Sequence, residues 1–194
     1  MAAPDKTTLP EIVRTASEIL ERDGVDGLTM QAVAVGVGVR APSLYKRVDG
    51  RETLLQLVAD AKLRELGARL DAAQNLADLA DRFRAFGHER PESFRLIMGQ
   101  GQPRAGGSTT TAAPAAASAA VLRLVGRVVP ADNVLDAART LTAWATGFVS
   151  MELGGGFHLD GDIERAWRFG VARMEALIGG RDQEQHGTTP ESRS

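Results

Sequence analysis

Arg40, Ser43, Tyr45 and Lys46 fall within seven consecutive residues, and their types suit contact with a nucleic acid. An arginine fork can bond a guanine edge with two parallel hydrogen bonds. A serine hydroxyl can reach a base or a phosphate, and a tyrosine hydroxyl can reach a phosphate. Lys46 and Arg51 are placed to neutralise phosphates, and Ala41 and Pro42 complete the surface these residues would present. Thr29 opens the preceding segment as an N-cap, and the free N–H groups behind it could hold one more phosphate.

For these side chains to act together, they must share one face of a short helix. The sequence supplies the elements. Leu9, Ile12, Val13, Ala16, Ile19 and Leu20 recur at helical spacing, opposite Glu11, Arg14, Glu18 and Glu21. Thr7 or Thr8 is placed to cap this helix, Pro10 suits its first turn, and Asp23-Gly24 ends it. A short helix follows Thr29, with Met30, Val33 and Ala34 inward. Gly38 breaks it at a position suited to positive φ, and Val39 packs beneath the turn. A second short helix is expected from about Ala41 to Arg47, with Leu44 inward. Two short helices joined by a glycine-containing turn form a helix-turn-helix, whose second helix enters the major groove.

Length, charge and composition bound the rest. The chain has 194 residues and a formal charge of −2, with 30 alanines, 9 aromatic residues and no cysteine. Alanine favours helix, so the composition leans all-α. The missing cysteine excludes disulfides, thiolate-bound zinc and a catalytic thiol. A near-neutral total argues against a nucleic-acid binder, but the charge is unevenly placed. Residues 1–37 carry a net −3, whereas Gly38 to Arg51 carries +3 from Arg40, Lys46, Arg47 and Arg51 against Asp49. No signal peptide or membrane-spanning run is evident, so a cytoplasmic location and no membrane partner are expected.

Beyond residue 50, helical periodicity continues at about 51–70, 75–89, 91–98, 115–128, 131–153 and 160–178. A loop of low complexity fills 99–113, and the polar stretch from residue 181 to 194 reads as a disordered tail. This divides the chain into an N-terminal helix-turn-helix domain (1–50), a helical bundle (51–180) and that tail.

The run from Thr29 to Val48, followed by Arg51-Glu52-Thr53-Leu54, resembles the DNA-binding domain of TetR-family transcriptional regulators. Val33-Ala34, Gly38-Val39, Leu44-Tyr45 and the charged start of the next helix carry the likeness. It covers about residues 9–56. The chain departs from the family pattern at Val48, usually Phe, and at Arg51, usually Lys. Trp144-Ala-Thr-Gly-Phe148 with Glu152-Leu153, and Arg90 to Met98, resemble a Trp-His-Gly type of C-terminal domain in the same family, with Thr146 in place of the His.

The resemblance implies an all-α homodimer that binds a palindromic double-stranded DNA operator, represses transcription and is released by a small-molecule effector. It places the dimer seam on the last two helices. Ala143, Gly147, Ser150, Ala166, Gly170 and Met174 permit close approach there, and Met151, Trp167 and Leu177 add apolar area. Phe83, Phe86, Phe94, Met98, Trp144 and Phe148 are candidate walls of a pocket for a hydrophobic or aromatic effector, with His88 and Thr146 as polar groups. For any single one of these aromatic and methionine residues plain core packing is the favoured reading, and a lone histidine near a helix end is more often a cap or surface residue.

Catalysis has little support in the sequence. His88, His158 and His186 are scattered, Gly36-x-Gly38 lies between helices rather than after a strand, and no metal-ligand or nucleophile spacing occurs. No enzyme activity, catalytic residue, metal or cofactor is expected. A helical adaptor that retains the helix-turn-helix as a scaffold is the alternative to a regulator.

Overall fold

The computed structural model describes residues 7–99 and 112–180; the expected low-complexity loop (99–113) lies largely, and the tail wholly, outside them. Among the described residues the fold is all-α, as the composition implied, and no helix is long and apolar enough to cross a membrane.

Helix α1 (Leu9–Gly27) carries a capping box: the Thr8 hydroxyl accepts from Glu11 N–H while the Glu11 carboxylate accepts from Thr8 N–H at 2.7 Å. These reciprocal bonds satisfy two groups that a bare helix end would leave unpaired. The periodic apolar stripe does what its spacing requires, burying Ile12, Ala16, Ile19 and Leu20. The expected stop at Gly24 is a kink, with φ +71°, and one further helical turn runs to Gly27.

Helices α2 (Met30–Gly36) and α3 (Ala41–Tyr45) follow, and α4 (Gly50–Asp71) then runs away from them for 22 residues. Helix α5 (Leu76–Glu89), the short α6 (Pro91–Ile97), α7 (Ala112–Val125), α8 (Val134–Leu153) and α9 (Ile163–Gly179) build the C-terminal bundle. A 3₁₀ turn (Ala131–Asn133) leads into α8, so the α-helix itself begins three residues later than the periodicity suggested.

One continuous apolar core joins the two halves, running from Ile12 and Leu20 through Leu54 and Val58 to Phe86, Phe94 and Trp167. Two ties secure the joint. The Glu21 carboxylate of α1 accepts from the backbone N–H groups of Glu92 (3.3 Å) and Ser93 (2.9 Å), closing the N-terminus of α6. At the start of α4, the Arg51 guanidinium donates to the carbonyls of Leu28 (2.8 Å) and Val25 (2.6 Å).

Candidate functional site

The turn between α2 and α3 is a Schellman motif. Gly38 N–H donates to Val35 O (3.1 Å) and Val39 N–H to Ala34 O (2.9 Å). The motif needs a residue at positive φ, and Gly38 supplies it at φ +72°, with no Cβ penalty. Val37, Val39 and Ala41 rest against the core, while Leu44 and Val48 are each 1% exposed beneath α3. Val48 thus fills the place of the family's usual phenylalanine with an apolar side chain.

That packing fixes which residues of α3 face outward. Arg40, Pro42, Ser43 and Lys46 are exposed, and Tyr45 is 55% exposed. Helix α3 is shorter than expected: it ends at Tyr45, and Lys46 and Arg47 lie in a turn closed by Arg47 and Val48 N–H groups on Leu44 O (2.9 and 3.0 Å). Two expected contacts are corrected. Ala41 is half-buried against the core rather than presented to solvent. Arg51, expected on a phosphate, spends its Nε and Nη2 on the Val25 and Leu28 carbonyls, because the kinked end of α1 turns those acceptors toward the start of α4. Thr29 caps α2 as expected, its hydroxyl accepting from Ala32 N–H at 3.1 Å.

Within the bundle, a cavity of about 490 Å³ lies between α4, α5, α6, α7 and α8. Of the expected pocket residues, Phe83 and Met98 line it. The others do not, because their rings pack elsewhere. Phe86 and Phe94 are fully buried in the core, and Phe94 meets the edge of Phe83 at 5.4 Å. Trp144 stacks on Trp167 at 4.9 Å, and Phe148 packs against Trp167 and Phe157. His88 points away from the cavity and pairs with Glu152 at 3.0 Å. Thr146 lies outside the lining, its hydroxyl 3.9 Å from the Met98 sulfur. The walls are aliphatic instead: Leu63, Leu66 and Leu70 of α4, Leu79 of α5, Val121 of α7 and Leu141 of α8. The readable signal was the leucine spacing in the second half of α4, which lies beyond reach of the helix-turn-helix.

Two larger depressions are surface grooves. One of about 940 Å³ runs between α1 and α4 past Arg14, Glu18, Glu21, Lys62 and Glu65. The other, of about 680 Å³, runs between α5 and α9. Both are lined by ion pairs, whereas the bundle cavity has the apolar walls with few polar groups that small-molecule sites usually have.

The expected dimer residues divide into two sets. Ala143, Gly147, Met151, Ala166 and Leu177 are exposed, and Ser150 and Met174 are half-buried; Ala143 also edges the cavity. Trp167 and Gly170 are corrected to intrachain packing. Trp167 is 1% exposed and donates its indole N–H to Asp81 at 2.7 Å. A Cβ at Gly170 would stand 2.3 Å from the Trp144 ring, so glycine is needed there for α8 and α9 to close.

Behind that aromatic cluster sits an ion network. Arg84 forks onto Glu152 (2.9 and 2.6 Å), reaches Glu164 (2.5 Å) and lies over the Trp167 ring at 5.3 Å. The Arg84 hydrogen bonds hold the Glu152 carboxyl below its ordinary range, outweighing burial.

Comparison with known proteins agrees with this geometry. Residues 76–174, just over half the chain, match the tetracyclin repressor-like C-terminal domain. The chain belongs to the TetR family of transcriptional regulators. A helix-turn-helix-type transcriptional regulator of Mycobacterium tuberculosis is 29% identical over 80% of this chain and 74% of its own length. Among solved structures, a Rhodococcus protein of unknown function superposes with a TM-score of 0.74 at 21% identity, over 92% of this chain and 100% of its own. A TetR variant of Acinetobacter baumannii in complex with minocycline gives 0.66 at 22% identity, over 89% and 97%. As a TetR-family member, the chain is a DNA-binding transcriptional regulator.

Proposed function

We propose that this regulator is a repressor that binds a palindromic operator as a homodimer and is released when a small apolar effector fills the bundle cavity. The observation that carries this reading is the course of α4. Its first residues are tied by Arg51 to the corner between α1 and α2, and its second half supplies Leu63, Leu66 and Leu70 to the cavity wall. A single rigid element therefore touches both the unit that reads DNA and the space that would take a ligand. In this reading the first 50 residues recognise DNA, and residues 51–180 dimerise and sense the effector.

Exposed apolar side chains on the last two helices support self-association. Met151 of α8, with Phe169 (63% exposed) and Leu177 of α9, lie open to solvent, the Arg173 guanidinium covering one face of the Phe169 ring. A two-fold dimer built on these helices would set its two copies of α3 about one DNA turn apart, or a multiple of it, and so read a palindrome. Occupying such an operator blocks transcription with no further machinery. An effector loosens the complex only to the extent that it binds the released arrangement better. That a neighbour of the same fold was solved in complex with minocycline supports a small-molecule ligand. The aliphatic walls favour an aliphatic over an aromatic effector: among the described residues Phe83 is the one ring in the lining.

The test uses full-length protein and the DNA upstream of its own gene. Fluorescence anisotropy at fixed salt should show saturable binding, and sedimentation should give a dimer that Phe169→Glu converts to a monomer. A monomeric wild type, or no binding to upstream DNA at low salt, overturns the proposal.

A further inference from the structure

We propose that the bundle cavity takes a flexible aliphatic chain bearing an anionic head group, with the chain along the leucine walls and the head at Arg139. This rests on the effector reading above and names the ligand class.

The inside of the cavity and its rim differ in chemistry. The inner wall is made by buried side chains, among them Leu66, Leu70, Leu79 and Leu141. Phe83 is its one ring among the described residues, and the edge contact with Phe94 ties that ring to the core. A planar aromatic ligand gains affinity from offset or edge contacts with several rings, and the other rings nearby are committed to Trp167 or to the core. An aliphatic chain needs only close-packed methyl and methylene partners, and it gains affinity with each methylene it buries. The wall supplies these.

Polar groups gather at the opening. Thr142 of α8 and Ser118 of α7 place hydroxyls among its exposed residues. No carboxylate lines the cavity, and Arg139 is the one ionised lining residue among the described residues. Its side chain is 69% exposed and meets Asp136 at 3.5 Å, a long contact at a site where 82% of the Asp136 side chain is itself exposed. A pair that loose gives up little when a carboxylate or sulfate head competes for the guanidinium, which can bond such a group with two hydrogens. A neutral alcohol head would leave that capacity unused.

Calorimetric titration of the full-length wild type with sodium decanoate, 1-decanol and 2-naphthoate tests each part. Decanoate should bind at one molecule per chain, about fivefold tighter than decanol and tighter than 2-naphthoate. Arg139→Gln, at an exposed position that leaves the fold undisturbed, should bring decanoate down to the decanol level without changing decanol. Equal binding of decanoate and decanol to the wild type, or an Arg139→Gln variant that keeps the preference, overturns the anionic head. Tighter binding of 2-naphthoate overturns the aliphatic chain and leaves the cavity as an effector site. Failure of all three to bind a protein that still holds its operator overturns this ligand class, whereas the effector reading falls only if the operator complex also fails to respond to small molecules of other types.

Discussion

Arg51 is the residue for which sequence and structure assign different work, and one substitution separates the two. Arg51→Met keeps the unbranched stem and removes the guanidinium. It deletes the donors to Leu28 O and Val25 O, at 2.8 and 2.6 Å. Charge-assisted hydrogen bonds contribute roughly 1.5–3 kcal/mol each when sheltered. The Val25 contact is exposed, so water replaces much of it, and the expected loss is about 1.5 kcal/mol for the pair together. In a chain of this size that lowers Tm by about 3–6 °C.

For DNA binding, the informative quantity is the salt dependence. A residue that neutralises a phosphate contributes about 0.9 to the slope of log K against log salt, or about 2 for a dimer with two copies. A brace contributes nothing to the slope. The plot for Arg51→Met should therefore run parallel to that of the wild type, displaced to weaker binding because the recognition helices are less firmly seated. Arg51→Lys should recover only part of the stability, since an ammonium is a point donor and cannot span two carbonyls as the fork does. A slope reduced by about 2, with Tm unchanged, would refute the brace and restore the phosphate contact.

Other expected outcomes follow from the same geometry. Arg84→Met leaves Glu152, whose side chain is 11% exposed, with His88 as its remaining partner; removing one member of so sheltered a pair should cost about 3 kcal/mol in urea unfolding at neutral pH. Because Arg84 lowers the folded-state pKa of Glu152 below its ordinary 4.5, that stabilisation is present above 4.5 and is lost as pH falls through the folded value. The gap between wild type and variant should accordingly shrink in acid, and a gap independent of pH would contradict the assignment. Tyr45→Ala with Lys46→Ala should weaken operator binding at fixed salt while sedimentation shows the association state unchanged, since both side chains are exposed and away from the core. Gly170→Ala places a Cβ 2.3 Å from the Trp144 ring; forcing α8 and α9 apart should cost about 1–3 kcal/mol in thermal unfolding, and a neutral effect would mean the ring has room to move.

Much of the reading unit was legible from local signals. Thr29 as a cap, Gly38 as the positive-φ turn and Leu44 as the inward residue all depend on neighbours within a few positions, where chain geometry leaves few choices. Helix existence was legible for the same reason, while several ends moved by a few residues: α1 runs on to Gly27, α3 stops at Tyr45, α7 spans Ala112–Val125, a 3₁₀ turn delays α8 and α9 starts at Ile163. The capping box at Thr8 and Glu11 was equally local, though its reciprocal form emerged only in the structure.

The bundle was a different problem. An aromatic residue at helical spacing is buried somewhere, but periodicity does not say which of several neighbouring helices it faces. Trp144, Phe148 and Trp167 satisfied one another rather than a ligand, and Phe86 and Phe94 became core, leaving leucines from four helices to line the cavity. Arg51 followed the same rule, because its acceptors lie 23 and 26 residues upstream and are presented only when α1 kinks at Gly24.

The sequence by itself determined the helices, the turn that separates α2 from α3, and the concentration of positive charge after Gly38. Those features are set by propensity, caps and spacing within a single segment. Only the tertiary structure decided which apolar faces meet and which remain open as a cavity or an exposed stripe. It also decided which charged side chains brace the backbone. Each of those outcomes depends on the relative placement of segments far apart in the chain, through packing that no local pattern encodes.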